Sequence, residues 1–374
     1  MHLGRGVMLV MGFMSGTSLD GVDVALLETD GERIDAFGPC AMVAFSAAER
    51  AAIERATEDA LAWNGFGATP ASFAAAAGVI ESAHVRAGQA AIAQAGRIPG
   101  LVGFHGQTLL HRPERQLSVQ IGDPQAIADG LRIPVVAQMR QDDLLAGGQG
   151  APLVPAYHAA LAERIGLERP VAFLNVGGVA NLTWIGEDGS LVAFDTGPGN
   201  GLIDQVVQAH GQGQYDDGGR FAAAGAVDPQ VLAGLLSHPH FRGEGPKSLD
   251  RYDFPLEWAD ACSLEDAAAT LTAFTAASVA LTAQALPRPP KVWIVCGGGS
   301  HNPTLMTALR DLLGDCRTAD EMALRGDFVE AEAMAFLAAR SLRGLPLTFP
   351  GTTGVDRPMT GGTIWHPSRI VELV

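Results

Sequence analysis

Asp195 is the residue of this sequence best placed to remove a proton during a reaction. It follows an apolar strand pattern at 191–194 and precedes the sequence Thr-Gly-Pro-Gly-Asn-Gly at 196–201. A carboxylate held at the end of a strand, above a tight turn that opens a helix, keeps one face open to a substrate. The pattern favours a general base, and a solvated aspartate in an ordinary turn is the alternative.

Three glycine-rich turns, each after an apolar strand pattern, have the composition of phosphate-binding loops. They are Ser-Gly-Thr-Ser-Leu-Asp-Gly at 15–21, Gly-Gly at 177–178 and Gly-Gly-Gly at 297–299. Glycine lets backbone N–H groups approach an anion, and Ser and Thr hydroxyls add donors without bulk. Asp20 and Asp23 are acceptors, so beside a phosphate they are useful only through Mg²⁺ or its waters. Each turn alone could be a plain connector, but three together favour nucleotide binding. The sequence contains no GxxxxGK[ST] loop.

Other polar residues are less specific. His105 follows a strand pattern at 101–105, and a lone histidine is more often structural than catalytic. Glu330 and Glu332 lie at a predicted helix start, where carboxylates are favoured by the positive end of the helix.

The elements that carry these residues occur twice. Each half has three strand patterns, with a glycine turn after the first and an Asp-Gly hairpin signal after the second: 7–14, 22–29 and 34–45, then 171–175, 180–185 and 191–195. A capping box at Ser46 and Glu49 starts Ala-rich helices that run to about 95. Two similar meanders followed by helices predict two related lobes, and chance similarity is the alternative.

The bulk composition excludes several classes of protein. The chain has 374 residues and a net charge of −16, with no cluster of Lys and Arg, so nucleic-acid binding is not expected. Its four cysteines are far apart, which supports neither zinc nor disulfides and fits a reducing compartment. The apolar run at 267–286 is interrupted by Ser and Thr, which predicts a buried helix rather than a membrane span. We expect a cytoplasmic protein that binds no membrane.

Several motifs occur together in a recognisable order. They are Met-Ser-Gly-Thr-Ser-Leu-Asp-Gly-Val-Asp at 14–23, Phe-His-Gly-Gln-Thr at 104–108, Gln-Ile-Gly-Asp-Pro at 120–124, Gly-Gly-Gln-Gly-Ala-Pro-Leu-Val-Pro at 147–155, Asn-Val-Gly-Gly-Val-Ala-Asn at 175–181, Asp-Thr-Gly-Pro-Gly-Asn at 195–200 and Cys-Gly-Gly-Gly at 296–299. The chain resembles the anhydro-N-acetylmuramic acid kinases, members of the actin/hexokinase/Hsp70-like ATPase superfamily. The resemblance runs from about residue 8 to the C-terminus.

The resemblance implies an α/β fold, a two-lobed actin-like ATPase (ribonuclease H-like) fold with mixed sheets flanked by helices and an ATP cleft between the lobes. We assign residues 1–137 plus about 358–374 to the N-terminal lobe and 138–357 to the C-terminal lobe. It also implies that ATP and water convert 1,6-anhydro-N-acetylmuramic acid to N-acetylmuramic acid 6-phosphate in cell-wall (peptidoglycan) recycling. The expected partners are ATP and this anhydro amino sugar, with Mg²⁺ as the metal cofactor, and a homodimer is the candidate assembly.

By the family's pattern, Asp195 is the catalytic base and 16–23 is the ATP phosphate segment. The predicted ATP contacts are Gly16, Thr17, Ser18, Leu19, Asp20, Gly21, Val22, Asp23, Gly177, Gly178, Gly297, Gly298 and Gly299. Asp20 is the candidate metal contact, directly or through water. The predicted sugar contacts are His105, Gln107, Gln120, Arg140 and Glu332.

The sequence departs from the family's pattern at two places. Some relatives have a run of arginines after Met139-Arg140, where this chain has Gln141-Asp142-Asp143, so Arg140 is the remaining candidate contact for the sugar's carboxylate. The other departure surrounds Lys247, for which no role is predicted.

Two other functions stay open at this point. One is a kinase of the same fold that phosphorylates a free hydroxyl of another sugar. The other is an actin- or Hsp70-like ATPase without a small substrate, against which the Gln-Ile-Gly-Asp-Pro and Gly-Gly-Gln-Gly-Ala-Pro motifs argue.

Overall fold

The computed structural model describes residues 6–16, 18–242 and 254–368. Its strands are β1 (Met8–Met14), β2 (Gly21–Thr29), β3 (Ile34–Ala44), β4 (Leu101–Phe104), β5 (Gln107–Arg112), β6 (Leu117–Ile121), β7 (Val135–Ala137), β8 (Val171–Val176), β9 (Val179–Ile185), β10 (Leu191–Pro198), β11 (Val292–Cys296), β12 (Cys316–Thr318) and β13 (Thr363–Trp365). Its helices are α1 (Ala47–Trp63), α2 (Ser72–Ala95), α3 (Pro124–Leu131), α4 (Gln141–Leu145), α5 (Pro155–Arg164), α6 (Gly201–Ala209), α7 (Arg220–Ala224), α8 (Pro229–Leu236), α9 (Leu264–Thr282), α10 (Pro303–Leu313), α11 (Val329–Leu342) and α12 (Pro350–Thr353).

The chain divides into two compact units. Unit 1 is Met1–Ile165 with Phe328–Val374, and unit 2 is Gly166–Asp327. These limits differ from the predicted domain boundaries, which assigned 138–165 and 328–357 to the second lobe. The difference arises because α5 packs against α11, and α11 packs against the sheet of unit 1. Residues 138–150 therefore belong to unit 1.

The sheet of unit 1 has the strand order β13-β7-β4-β1-β2-β3. Strands β1, β2 and β3 form an antiparallel meander, while β4 pairs in parallel with β1 and β7 with β4. The capping box predicted at the start of α1 is confirmed, since the Ser46 and Glu49 side chains each accept the other's backbone N–H. Helices α2 and α3 bury apolar side chains in the same core cluster as β1 and β2.

The sheet of unit 2 repeats this plan. Its order is β10-β9-β8-β11-β12, with β8, β9 and β10 as an antiparallel meander and β11 and β12 added in parallel. When the strands of each sheet are numbered in chain order, both units have the order 3-2-1-4-5, and β13 is an additional edge strand in unit 1. This is the ribonuclease H-like arrangement. The predicted duplication of lobes and the α/β fold class are therefore confirmed by topology.

Helix α11 lies directly on the backbone of two central strands of unit 1. A methyl group at Gly12 of β1 would overlap the carbonyl oxygen of Ala331, and one at Gly103 of β4 would overlap that of Met334. Only glycine at these two positions allows so close an approach. The contact sets the height of α11 above the sheet, and with it the position of Glu332.

Helix α9 and the turn after it are long and apolar enough to cross a membrane by length and composition. The segment is Leu264–Ala285, and 67% of its most apolar window is buried within the structure. Phe274 and Val279 of α9 are fully buried in the core of unit 2. The sequence-based prediction of a buried core helix is confirmed.

Two local features differ from expectation. The strand β5, which starts at Gln107, was not predicted, and it pairs with β6 in a separate two-stranded sheet. Strand β10 does not end at Asp195 but continues to Pro198 through a bulge between Asp195 and Gly197.

Candidate active site

In unit 2, a row of three polar side chains crosses the three strands of the antiparallel meander. Asp195 of β10 lies opposite Asn181 of β9, which lies opposite Asn175 of β8. Directly opposed residues on neighbouring strands point to the same face of a sheet. All three are half-buried, whereas Phe194, Leu182 and Leu174 beside them are buried. The register thus places one carboxylate and two amides together on one face.

The backbone around Asp195 is held from several sides. His240 Nε2 donates to the Asp195 carbonyl at 3.1 Å, and Thr196 Oγ1 donates to the Ala180 carbonyl at 3.1 Å. A β-bulge at 195–197 interrupts the strand pairing. Bulges change the direction in which side chains point and are common next to active sites. The backbone that carries the Asp195 carboxylate is therefore held in place, which suits a general base.

The glycine turns of unit 2 converge on one another. Asn200 N donates to the Gly177 carbonyl at 2.7 Å, and Gly199 N donates to the Gly178 carbonyl at 3.0 Å. Asn200 Nδ2 donates to the Val176 carbonyl at 3.2 Å and lies 3.7 Å from where a methyl at Gly298 would be. The turns at 177–178, 199–201 and 297–299, distant in sequence, therefore form one cluster beside β8, β10 and β11.

The glycines of these turns have two distinct structural roles. A methyl at Gly199 would overlap the Gly177 carbonyl, and one at Gly299 would lie 2.5 Å from Val176 Cγ1. Gly178 has no atom within 4 Å of such a methyl, and Gly298 has only the Asn200 amide. Gly199 and Gly299 are therefore required by packing within the protein. Gly178 and Gly298 leave space that a ligand can occupy.

Replacing Gly178 or Gly298 by Ala is expected to weaken ATP binding without loss of stability. Neither residue has a positive φ, so the added methyl has room and strains no backbone. It does occupy the space through which a phosphate would approach the N–H groups, and we expect the Kd for ATP to rise about tenfold, or about 1.4 kcal/mol. Calorimetric titration with a non-hydrolysable ATP analogue measures it.

The matched control is Gly234→Ala in α8 of the same unit, where a methyl also meets nothing within 4 Å. We expect its ATP affinity to be unchanged. Equal affinities for Gly178→Ala, Gly298→Ala and this control would exclude these two glycines from the ATP site.

In unit 1, Leu19 in the connection between β1 and β2 has an unusual backbone conformation. Leu19 has φ of 56°, in the left-handed region that residues other than Gly, Asn and Asp seldom adopt. Its side chain is buried in the core cluster of unit 1, which holds the turn in this shape. Gln107 Nε2 donates to the Gly16 carbonyl at 3.2 Å from outside the turn. Among the described residues, the nearest atom to a methyl at Gly16 is Ser18 Oγ at 3.7 Å, so these residues leave space beside this glycine too.

Two buried polar atoms at this turn lack a hydrogen-bond partner among the described residues. They are Ser15 Oγ and Gln107 Oε1, on side chains that are 2% and 1% exposed. Buried polar groups in folded proteins are nearly always paired, so each marks a place for a ligand or water. The serine hydroxyl can donate to a phosphate oxygen. The Gln107 oxygen can only accept, because its amide orientation is set by the bond to Gly16, so it requires a hydroxyl or N–H group.

The predicted metal contacts differ in exposure. The Asp20 side chain is 66% exposed and lies 3.8 Å from the Arg50 guanidinium. Asp23 is half-buried and lies opposite Met14 on β1. No group of three or more His, Cys, Asp or Glu side chains that could hold a metal occurs within the part of the chain that the structure describes. Thr17 lies outside that part.

His105 and Arg140 form a buried pair in unit 1. Arg140 Nε donates to His105 Nε2 at 2.9 Å, and Arg140 Nη1 donates to the Gly150 carbonyl at 2.7 Å. His105 Nδ1 lies 2.8 Å from the Gly106 carbonyl and donates to it, so the imidazole is neutral. Burial, with the nearby charge of Arg140, lowers the pKa of His105 to about 3. His105 is thus a neutral acceptor that orients the guanidinium.

Two carboxylates of α11 lie in the interior of unit 1. Tyr157 OH donates to Glu332 Oε2, and Glu332 is 1% exposed. Burial raises the pKa of Glu330, while the nearby charge of Arg140 lowers it. Both lie in the first turn of α11, as predicted, and Glu332 is in addition buried and hydrogen-bonded within unit 1. Their charges are placed inside the fold, next to groups that can bind a ligand.

Gln120 is the remaining predicted contact. Sequence analysis did not predict His111, Asn175 or Asn181, which are further polar residues near the predicted ones. Gln120 Nε2 donates to Ser118 Oγ at 2.6 Å and lies opposite Thr108 in the β5–β6 sheet. His111 lies on β5, like Thr108, and its ring nitrogens contact Ser118 Oγ and the Gln149 carbonyl. Asn175 and Asn181 could have been found from the motif at 175–181, in which an asparagine lies on each side of the turn at 177–178.

The strand order repeated in both units, with a glycine turn after the first strand of each, defines a protein of the actin-like ATPase and sugar kinase class. The chain belongs to the anhydro-N-acetylmuramic acid kinase family, whose family model matches residues 8–367.

Named relatives agree over the whole length. The anhydro-N-acetylmuramic acid kinase of Phenylobacterium zucineum (strain HLK1) is 50% identical over 368 residues, covering 96% of this chain and 100% of that protein. The enzyme of the same name from Rhodospirillum rubrum is 50% identical over 368 residues, covering 98% of this chain and 96% of that protein. Among solved structures, component A of the (R)-2-hydroxyglutaryl-CoA dehydratase of Acidaminococcus fermentans shows a weak likeness, with 12% identity and a TM-score of 0.48 over 90% of this chain and 99% of that one.

Proposed function

We propose that this protein uses ATP and water to convert 1,6-anhydro-N-acetylmuramic acid to N-acetylmuramic acid 6-phosphate, in the recycling of cell-wall fragments. Membership of the family over residues 8–367 supports the substrate and the phosphoryl transfer. The observation in the structure that supports the chemistry is the half-buried Asp195, on a backbone held by hydrogen bonds beside the clustered glycine turns. A cytoplasmic setting belongs to the same proposal.

The substrate determines what the protein must do. A 1,6-anhydro sugar has no free 6-hydroxyl, because O6 is bonded to C1. Asp195 takes a proton from water, the water oxygen bonds to C1, and the C1–O6 bond breaks. O6 then bonds to the γ-phosphorus of ATP as the bond to ADP breaks. One positioned base contributes about 10²–10⁴-fold, and placement and electrostatics supply the remainder.

The residues of both units suit a bound triphosphate. In unit 1, the open space at Gly16 and the unpaired Ser15 hydroxyl are available to phosphate oxygens. In unit 2, Gly178 and Gly298 are similarly open. Backbone N–H groups in glycine turns bind phosphate irrespective of the net charge of the protein.

The acidic residues present fit Mg²⁺ bound together with ATP. Mg²⁺ is held in proteins by one or two carboxylates with phosphates and waters, so a dedicated cluster of side chains is not needed. Asp20 and Asp23 are the candidates in unit 1 to hold it, directly or through water. When bound, the ion neutralises charge on the phosphoryl group being transferred.

The sugar contacts are assigned to polar groups of unit 1. Arg140, oriented by His105, is the candidate for the sugar's carboxylate. Gln107 Oε1 requires a donor and so suits a sugar hydroxyl or the N-acetyl N–H rather than a phosphate. Glu332 is held by Tyr157 and is assigned to the sugar or the attacking water. Gln120 is the remaining candidate, on β6 beside Thr108.

An isotope experiment tests the proposal. With the anhydro sugar, ATP and ¹⁸O-water, we expect one ¹⁸O at C1 of the sugar phosphate and none in its phosphate ester bond. Turnover of ordinary hexoses with a free 6-hydroxyl, without label at C1, would instead indicate a kinase of the same fold that acts on another sugar. Slow ATP hydrolysis that no sugar alters would indicate an ATPase without a small substrate.

A further inference from the structure

Asp143 is a buried carboxylate to which the proposed reaction assigns no role. Its side chain is 2% exposed, next to the exposed Asp142 and three residues after Arg140. A buried charge is costly unless it is well paired with hydrogen-bond donors or opposite charge. The groups that contact the Asp143 carboxylate therefore indicate its role.

Each oxygen of Asp143 holds a different segment. Oδ1 accepts from Gly150 N at 2.6 Å. Oδ2 accepts from Thr353 Oγ1 at 2.6 Å and also from Thr348 Oγ1. A methyl at Gly148 would overlap Asp143 Oδ1, so the turn at 147–150 wraps closely around the carboxylate. One side chain thus joins this turn to the segment at 348–353.

The same turn positions Arg140. The Gly150 amide donates to Asp143, and the Gly150 carbonyl accepts from Arg140 Nη1 at 2.7 Å. Of the five N–H donors of a guanidinium, this bond and the one from Nε to His105 use two. The other three have no hydrogen-bond partner among the described residues.

The turn is also fixed by its neighbouring residue. Gln149 N donates to the Thr353 carbonyl at 2.8 Å, and the Gln149 carbonyl accepts from His111 Nε2 at 3.0 Å. The backbone polar groups of both Gln149 and Gly150 are therefore engaged. These bonds hold the turn in one conformation. The turn then orients Arg140 through the hydrogen bond from Arg140 Nη1 to the Gly150 carbonyl.

We propose that Asp143 is a positioning residue, which fixes the turn at 147–150 so that the free N–H groups of Arg140 are aimed at the substrate's carboxylate. The proposal rests on the proposed function, in which Arg140 contacts that group. Burial lowers the pKa of Arg140 to about 10, and the negative charges of Glu330 and Asp143 oppose this shift.

The test compares Asp143→Asn with the control Asp142→Asn on two substrates. One is the anhydro sugar with its lactyl carboxylate, and the other is the same anhydro sugar without the lactyl group. Asn keeps the acceptor for Gly150 and the shape of the side chain but removes the charge and one acceptor. We expect Asp143→Asn to raise the KM for the acidic sugar about tenfold. The KM values for the neutral sugar and for ATP should stay within about twofold, and Asp142→Asn should match the wild type.

A purely structural role would give a different pattern. It would change the KM for both sugars and for ATP alike, or lower kcat in proportion to lost folded protein, and either result would overturn the proposal. Wild-type turnover of the acidic sugar with no shift in Asp143→Asn would overturn this inference alone. Absence of wild-type turnover of either anhydro sugar would overturn the proposed function as well.

A second pair of variants tests the same proposal if Asp143→Asn folds poorly. Thr353→Val removes a donor to Asp143 and keeps both the shape of the side chain and the charge of the carboxylate. Thr352→Val is its control, because within the described part of the chain the Thr352 hydroxyl bonds to Phe349 of its own turn and not to Asp143. We expect Thr353→Val to raise the KM for the acidic sugar about threefold relative to the neutral one. If the ratio of the KM for the acidic sugar to the KM for the neutral sugar were the same in both Thr variants, the proposed positioning of Arg140 through Asp143 would be refuted.

Discussion

Replacing Asp195 by Asn is expected to lower kcat for the anhydro sugar about 10²–10⁴-fold, which corresponds to about 3–5 kcal/mol. The amide keeps the size of the side chain and its place in the polar row with Asn181 and Asn175. It cannot accept a proton at neutral pH. Steady-state kinetics with both substrates varied, together with calorimetric titration of each, measures the effect.

Binding is expected to survive this change, because the backbone at 195–200 is held by bonds that do not involve the carboxylate. These include the bonds from His240 to the Asp195 carbonyl and from Thr275 to the Gly199 carbonyl. The KM for ATP should therefore change less than about threefold. Loss of kcat without loss of binding is the signature of an interaction made only in the transition state.

Asp188→Asn serves as the matched control. Asp188 lies in the hairpin at the other end of β9 and β10, where it accepts from Ser190. The same chemical change there should leave kcat within about twofold. If Asp195→Asn also retained wild-type turnover, Asp195 would not be the base, and the base would have to be sought among the other carboxylates.

Replacing Gly12 or Gly103 by Ala is expected to destabilise unit 1 by about 3 kcal/mol, the upper part of the usual cost of overpacking. In each case the new methyl would overlap a carbonyl oxygen of α11, and backbone cannot move aside as a side chain can. The helix must therefore shift away from β1 or β4. Urea denaturation monitored by circular dichroism measures the loss of stability.

The same variants are expected to lose activity beyond their loss of folded protein. Glu332 lies between Ala331 and Met334, the two contact residues of α11, so any lift of the helix moves this carboxylate. Gly78→Ala in α2 is the control, since a methyl there meets nothing within 4 Å. It should be neutral or stabilise by up to about 1 kcal/mol through helix propensity. Equal stability of all three variants would show that α11 does not depend on these glycines.

Local sequence signals predicted most of the elements well. The meander strands β1, β2, β8 and β9 are short apolar runs bounded by glycine turns, and their limits agree with prediction within one residue. The start of α1 was predictable because a capping box is satisfied by residues only three positions apart. The strand at β5 was missed because it begins with the polar residues Gln107 and Thr108 and has no clear alternation.

Candidate site residues were predictable where a motif itself carries the chemistry. Asp195 and the glycine turns are candidates from sequence alone because carboxylates and glycines at strand ends indicate a site even without a structure. Asn175 and Asn181 were missed, since their importance depends on the register that sets them beside Asp195. The position of Glu330 and Glu332 at a helix start was predictable, but the burial of Glu332 depends on the elements that pack around α11.

The sequence by itself therefore determined the repeated meander, the glycine turns and the candidate base, because these depend on residues close together in the chain. The tertiary structure alone decided which glycines are needed for packing and which are open to a ligand, since that depends on distant backbone. It also decided that residues 138–165 belong to unit 1 and that Asp143 joins the turn beside Arg140 to residues 348–353. Contacts between segments some 200 positions apart leave no local pattern, because they are selected by burial and hydrogen bonding in the folded chain.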